Sequence, residues 1–148
     1  MKTILGIDLG IRTGLALFSK NATLIWHWSH NFGNRKRLRQ GVHTILMDIS
    51  KKWELLFIIM EGSYNVGKIW IKKGIKINVP VYFVSPDRWR KDIFGTGNLS
   101  TDEAKKLAVR YAREIIIDSG LSPPKLIHHD AAEAILIGLW GIRYLRKL

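Results

Sequence analysis

Four acidic residues of this sequence stand beside apolar residues, where an ionised carboxylate is costly unless a cation compensates its charge. Asp8 lies within a short apolar stretch, Glu61 ends another, and Asp130 and Glu133 lie near the start of a third. Several carboxylates together repel one another, so a divalent metal ion is their natural partner. The set is suited to phosphodiester hydrolysis by two ions about 3.5–4 Å apart, one to activate water and one to stabilise the leaving oxygen.

Each acid also has a structural explanation that the sequence leaves open. Asp8 could belong to the turn before Gly10, and Glu61 could end its strand at the surface. Asp130 and Glu133 are spaced as in a capping box, in which the Asp130 side chain would accept the backbone N–H of Glu133. The metal-site hypothesis therefore depends on all four acids occurring together in one chain.

The composition restricts the type of metal site. The 148 residues include no cysteine, which excludes disulfides and thiolate ligands. A metal would have to be held by carboxylates, histidines, backbone oxygens or water, which favours hard cations such as Mg²⁺, with Mn²⁺ as a substitute.

A formal net charge of +12 predicts an anionic partner. Nucleic acid and a membrane surface are the usual candidates. No apolar run approaches the roughly 20 residues of a membrane span, and the N terminus runs directly into a strand-like segment without a signal peptide. We therefore expect a cytoplasmic protein that binds nucleic acid and no membrane.

The periodicity of apolar residues predicts the elements that position the acids. No repeat or linker is evident, so we expect a single domain over residues 1–148. The expected class is α/β, with a mixed sheet of three antiparallel N-terminal strands and two further strands, and helices on both faces. The predicted strands are 3–9, 14–19, 24–32, 54–60 and 79–84, and the predicted helices are 35–52, 66–77, 85–92, 101–118 and 129–148.

Four stretches, in this order, resemble the RuvC-like Holliday junction resolvases, especially the short forms of phages and prokaryotes. They are Gly6-Ile7-Asp8-Leu9-Gly10 with Thr13-Gly14; Ile59-Met60-Glu61-Gly62; Pro86, Trp89, Arg90-Lys91 and Gly95-Thr96-Gly97; and His129-Asp130-Ala131-Ala132-Glu133-Ala134. The resemblance implies a ribonuclease-H-like fold and a homodimeric, metal-dependent endonuclease that cleaves four-way DNA junctions with two Mg²⁺ ions per site.

The resemblance also assigns roles to individual residues. Asp8, Glu61, Asp130 and Glu133 match the four metal-binding acids, although the last acid of the family is usually aspartate. Because some relatives use histidine at the third position, we take His128 and His129 as second-choice ligands. Tyr64 matches an aromatic residue thought to stack on junction bases.

Two basic residues of the family help to hold the scissile phosphate. Arg90 matches the first of them, but the second position falls on Thr101, so Lys105 or Lys106 would have to substitute. Further cations are expected to bind the DNA backbone, and without a sequence-reading motif we expect recognition of shape. The predicted DNA-binding cations are Arg35, Lys36, Arg37, Lys72, Lys73, Arg90, Lys91 and Lys105.

Three other functions compete with this interpretation. A YqgF-like RNA-processing nuclease has a similar length and an opening aspartate motif, but Tyr64 and the two acids near residue 130 favour a resolvase. A non-catalytic DNA-binding relative would not need four intact acids. A sugar-kinase-like ATPase, suggested by Asp8-Leu9-Gly10 and Thr13-Gly14, would need a second domain that 148 residues cannot hold.

Overall fold

Five strands form one mixed sheet in the computed structural model, which describes residues 1–145. The strand order is β3-β2-β1-β4-β5; β1 pairs antiparallel with β2 and parallel with β4. This arrangement confirms the predicted mixed sheet. The strands are β1 (Lys2–Asp8), β2 (Arg12–Ser19), β3 (Leu24–Asn31), β4 (Glu54–Glu61) and β5 (Val81–Phe83).

Within residues 1–145, five helices follow the predicted order closely. They are α1 (Arg35–Lys52), α2 (Tyr64–Lys76), α3 (Pro86–Phe94), α4 (Thr101–Asp118) and α5 (His129–Tyr144). Local chemistry sets several of the boundaries. The Ser100 side chain and Glu103 form a reciprocal capping box at α4, and Ser85 caps α3, whose first residue is proline.

Several predicted boundaries differ from the structure by one or two residues, and one extends beyond the described residues. The last strand covers only Val81–Phe83, because it is an edge strand that pairs with only three residues of β4. Helix α2 begins at Tyr64, two residues earlier than predicted, since Ser63 caps it. The predicted end of the last helix, with Arg146 and Lys147, lies outside the described residues.

Apolar side chains form a separate core on each face of the sheet. Leu5, Ile7 and Leu15 point to the face that α1 and α2 cover, where Trp70 is fully buried. The opposite face is covered by α5, with α3 and α4 packed against it. Among the described residues, no helix is both long and apolar enough to cross a membrane.

Helix α5 packs close to the sheet because Gly6, Gly14 and Gly138 leave room for it. A Cβ on Gly6 in β1 would lie 2.5 Å from the Ala134 carbonyl oxygen and 2.7 Å from the Gly138 Cα. A Cβ on Gly14 in β2 would overlap the Asp130 backbone. Side chains at these positions would push the helix away, so the glycines determine how near its first turn comes to β1 and β2.

Candidate active site

Asp8 and Glu61 are brought together by the central strands. Asp8 ends β1, Glu61 ends β4, and the two are direct partners in the parallel register of these strands. Gly62 follows with φ 135°, a conformation that L side chains rarely adopt, and a Cβ there would lie 2.8 Å from the Leu9 Cβ. The glycine thus allows the chain to leave the sheet immediately after the carboxylate.

Helix α5 adds a third carboxylate to this pair. Oxygen atoms of Asp8, Glu61 and Glu133 all lie within 4.8 Å of one another, and Glu133 is buried. We call these residues the three-acid cluster. It joins two strands and a helix that are distant in sequence, so the close approach of α5 to the sheet is a condition for its existence.

Asp130 lies beside the three-acid cluster but has its own hydrogen bonds. It is only 4% exposed, and the Ser29 hydroxyl lies 2.8 and 2.9 Å from its two carboxylate oxygens. The backbone N–H of Ala131 donates to Oδ1 at 2.9 Å. The capping-box alternative is therefore wrong: α5 has His128 as its N-cap, and Asp130 does not accept the N–H of Glu133.

The electrostatics of the cluster favour a bound cation. Burial raises the pKa of Asp8 to about 8, with further contributions from the nearby charges of Glu133, Glu61 and Asp130. Burial also raises the pKa of Glu61, although a hydrogen bond from Trp89 opposes the shift. Both shifts have the same meaning: the protein alone does not compensate the negative charge that these carboxylates would carry when ionised.

The donor set fits a hard divalent ion. Three carboxylates converge within one ligand shell, and Asp130 lies close enough to affect the ionisation of Asp8. Mg²⁺ and Mn²⁺ prefer such oxygen donors, and a divalent ion would offset the repulsion between them.

Helix α3 places a cation and an indole against the acids. Arg90 Nη2 lies 3.1 Å from Glu133 Oε1, and the guanidinium lies 5.3 Å from the centre of the Trp89 ring. Trp89 Nε1 donates to Glu61 Oε1 at 3.4 Å. Arg90 Nε is buried without a hydrogen-bond partner among the described residues. The resemblance assigned Arg90 to the scissile phosphate, and in the structure Arg90 forms an ion pair with Glu133.

Tyr64 lies at the first position of α2 and is 65% exposed. Its ring is 6.1 Å from that of Phe83 and tilted by 36°, a loose contact that leaves the ring accessible. Because Tyr64 follows Glu61 by only three residues, it lies at the same edge of the sheet as the cluster.

The residues expected to replace a missing cation at Thr101 lie near the start of α5. Lys105 and Lys106 of α4 line a cavity of about 440 Å³ together with His128 and His129. All four side chains are exposed, as is Thr101 at the beginning of α4. Lys91 is exposed on α3.

A basic groove of about 340 Å³ separates α1 from α2. Of the predicted DNA-binding residues, Arg35, Lys72 and Lys73 line this groove, whereas Lys36 and Arg37 are exposed on α1 outside its lining. Both helices begin near the acid-bearing edge, where Arg35 Nη2 donates to the Asn65 carbonyl oxygen at 2.8 Å. The groove therefore extends the positive surface away from that edge. Its other polar lining residues are Arg39, His43, Lys68 and Lys76.

Sequence reasoning missed three residues that contact the acids or their partners. Ser29 donates to Asp130, Arg12 donates to Ser29 at 3.4 Å, and the Trp89 indole donates to Glu61. Trp89 belongs to the third stretch that resembles the resolvases, but the resemblance assigned it no function. Ser29 is a small polar residue between two aromatic ones in a strand, and nothing in the sequence indicates its partner.

Comparisons with known proteins support the fold. The chain is similar to a Thermus thermophilus RuvC structure, with 21% identity and a TM-score of 0.74 over 98% of this chain and 96% of that one. It is also similar to T. thermophilus RuvC in complex with a Holliday junction substrate, with 18% identity and a TM-score of 0.72 over 98% and 95%. No protein-family model and no curated protein matches the chain. The predicted ribonuclease-H-like fold is confirmed by these neighbours.

Proposed function

We propose that this chain is a metal-dependent endonuclease that resolves four-way DNA junctions. The observation that carries the proposal is the convergence of Asp8, Glu61 and Glu133 at one edge of a RuvC-type sheet, with Asp130 beside them. A structural neighbour bound to a Holliday junction substrate supports the choice of DNA substrate. The net charge of +12 and the basic groove support a polyanionic partner.

The acids would hold divalent cations, Mg²⁺ or Mn²⁺, with two ions per site as the expected number. Asp8, Glu61, Asp130 and Glu133 would supply the carboxylate ligands. When bound, such ions supply an activated water and stabilise negative charge on the leaving oxygen.

Arg90 and Trp89 contact the acids, and Arg90 would also contact the substrate phosphate. Arg90 compensates part of the charge of Glu133 and would stabilise negative charge that develops on a phosphate placed at the cluster. Trp89 is fully buried, and its N–H donates to the Glu61 carboxylate and would hold it in one orientation.

Different residues would contact the centre of the junction and the phosphate backbone of the DNA. Tyr64 is exposed beside the acids, so its ring can stack on an unpaired base at the junction centre, an interaction worth about 1–3 kcal/mol. The groove cations would neutralise phosphates along an arm, as would Lys36, Arg37, Lys91 and Lys105 elsewhere on the surface.

A homodimer is part of the proposal, because a four-way junction offers two symmetry-related strands to cut. We expect its interface on α1 and α2. The groove cations between these helices repel one another when two such faces approach, so the contact would lie beside the groove and leave the groove open to DNA. Light scattering with and without a non-cleavable junction tests this part; monomers in both conditions, together with nicking of single strands only, would contradict it.

The decisive experiment for the function is cleavage of a substrate panel with Mg²⁺ or with EDTA. The panel contains a four-way junction, a flap, a linear duplex and a structured RNA of equal length. We expect paired cuts in the junction, in the presence of metal, and little cleavage of the linear duplex. Preferential cleavage of the RNA would instead assign the chain to RNA processing.

A matched pair of variants separates the acid site from contaminating nucleases. Glu61→Gln removes one charge from the three-acid cluster, whereas Glu114→Gln removes an exposed charge from α4. Cleavage that persists in the first variant, or that is lost in the second, would contradict the assignment of the active site.

A further inference from the structure

Ser29 stands at the point where the edge strand β3 meets the first turn of α5. It pairs with Gly14 of β2 in the antiparallel register, and Gly14 is the residue whose missing side chain admits the Asp130 backbone. The two paired residues therefore act on the same side chain: Gly14 lets Asp130 approach the sheet, and Ser29 donates a hydrogen bond to its carboxylate.

The contacts of the Ser29 hydroxyl have a defined direction. A hydroxyl group has one proton to donate and two lone pairs to accept with. The exposed Arg12 donates from Nη1 to Ser29 Oγ at 3.4 Å, and Asp130, as a carboxylate, offers only acceptors. The hydroxyl proton is thus directed to Asp130, and the chain Arg12–Ser29–Asp130 ends in a positive charge at the surface.

We propose that Ser29 is a positioning residue, which orients Asp130 for binding of a divalent ion; the inference rests on the proposed metal-dependent function. Asp130 does not belong to the three-acid cluster, and without Ser29 only the Ala131 N–H would hold its carboxylate. Ser29 and the Ala131 N–H together fix the plane of the carboxylate but use only part of its roughly four acceptor positions. Lone pairs therefore remain for a cation.

The size of the effect follows from the general behaviour of residues that orient metal ligands. Loss of such a partner weakens metal affinity about 10–100-fold. We expect about a tenfold loss in Ser29→Ala, since the Ala131 contact to Asp130 remains. Ser29→Thr keeps the hydroxyl and suits a strand position, so it is expected to restore most of the affinity. Arg12→Ala is expected to cause a smaller loss than Ser29→Ala, because Arg12 acts only through Ser29.

The test is calorimetric titration of Mn²⁺ into the metal-free protein, with thermal unfolding in EDTA measured for each variant. Ser50→Ala, which alters an exposed serine near the end of α1, is the matched control. The inference expects weaker Mn²⁺ binding for Ser29→Ala, a smaller loss for Arg12→Ala, no change for Ser50→Ala, and affinity restored in Ser29→Thr.

Each alternative outcome has its own meaning. Wild-type protein that takes up no Mn²⁺ would overturn both the metal site and this inference. If the wild type binds Mn²⁺ and Ser29→Ala binds it equally well, the inference fails while the proposed metal site stands. A lower melting temperature in EDTA with unchanged Mn²⁺ affinity would assign Ser29 a purely structural role. Should Ser29→Ala fail to fold, unchanged Mn²⁺ affinity in Arg12→Ala would contradict the inference that the hydrogen bonds from Arg12 through Ser29 to Asp130 support metal binding.

Discussion

Replacing Asp8 by asparagine should stabilise the metal-free protein at neutral pH, although Asp8 lies at the centre of the proposed active site. The pKa of Asp8 is raised from 3.8 to about 8, first by burial and then by the charges of Glu133, Glu61 and Asp130. Because the folded state binds this proton more tightly than the unfolded state, stability is fully present below about pH 4. It is lost as the pH rises towards 8.

The magnitude follows from the same shift. Each pKa unit corresponds to about 1.4 kcal/mol, and about three units separate the unfolded pKa from pH 7, so Asp8 costs the fold on the order of 4 kcal/mol there. Asparagine has no such charge, and its amide can still donate to Glu133, as protonated Asp8 does. We therefore expect a gain of about 2–4 kcal/mol, or roughly 5–15 °C in melting temperature for a domain of this size.

Thermal unfolding in EDTA at pH 4, 6 and 8 measures this effect. The difference between Asp8→Asn and wild type should be near zero at pH 4 and should grow towards pH 8. Mn²⁺ should then stabilise the wild type by about 2.7 kcal/mol at a hundredfold excess over Kd, which raises its melting temperature, and should stabilise the variant much less. Asp48→Asn, an exposed aspartate on α1, serves as the control and should show neither effect.

A variant that is less stable than wild type at every pH would refute this reasoning, because it would mean that Asp8 stabilises the fold by ordinary hydrogen bonding. A pH-independent gain would also count against it, since it would have no relation to ionisation.

Three further outcomes are expected. Glu61→Gln should abolish junction cleavage while junction affinity in a gel-shift assay stays within a few fold, because the carboxylate serves the metal and the cations serve the DNA; activity at the wild-type level would reject the site. Tyr64→Ala should weaken productive junction engagement by about 1–3 kcal/mol and leave the melting temperature nearly unchanged, whereas Tyr64→Phe keeps the stacking ring. A loss of about 3–5 kcal/mol in stability would instead indicate a packed core residue. Junction affinity should fall steeply between dilute and physiological salt, and a flat dependence would show that the +12 charge does not contact phosphates.

The sequence predicted most of the architecture because its signals are local. The apolar run before Glu61 indicated a strand buried on both faces, and that strand lies inside the sheet, between β1 and β5, with side chains in both cores. Ser85-Pro86 marked the start of α3, and helical spacing gave the whole of α1. The predictions were weakest at element ends, where pairing partners and caps decide, as at β5 and at the start of α2.

The details of the acid site could not be predicted because they depend on contacts between distant residues. Ser29 and Asp130 are 101 positions apart, and Arg90 and Glu133 are 43 apart. The four acids could be identified as candidate metal ligands from their apolar surroundings and from the resemblance. Which carboxylates converge, and which one is held aside, depends on the position of α5 on the sheet.

The choice between a helix cap and a functional carboxylate at Asp130 shows how such long-range contacts override a local pattern. The spacing of Asp130 and Glu133 satisfies the capping-box pattern, and in an isolated helix that hydrogen bond would contribute about 1 kcal/mol. In the folded protein, Gly14 leaves room for the first turn of α5 to pack against β2, and α5 begins at His129, so that Asp130 is a helical residue in contact with β3. There the buried carboxylate accepts from Ser29 and from Ala131 instead of from the N–H of Glu133. The missing side chain at position 14 thus permits the contact between Asp130 and β3 that replaces the cap.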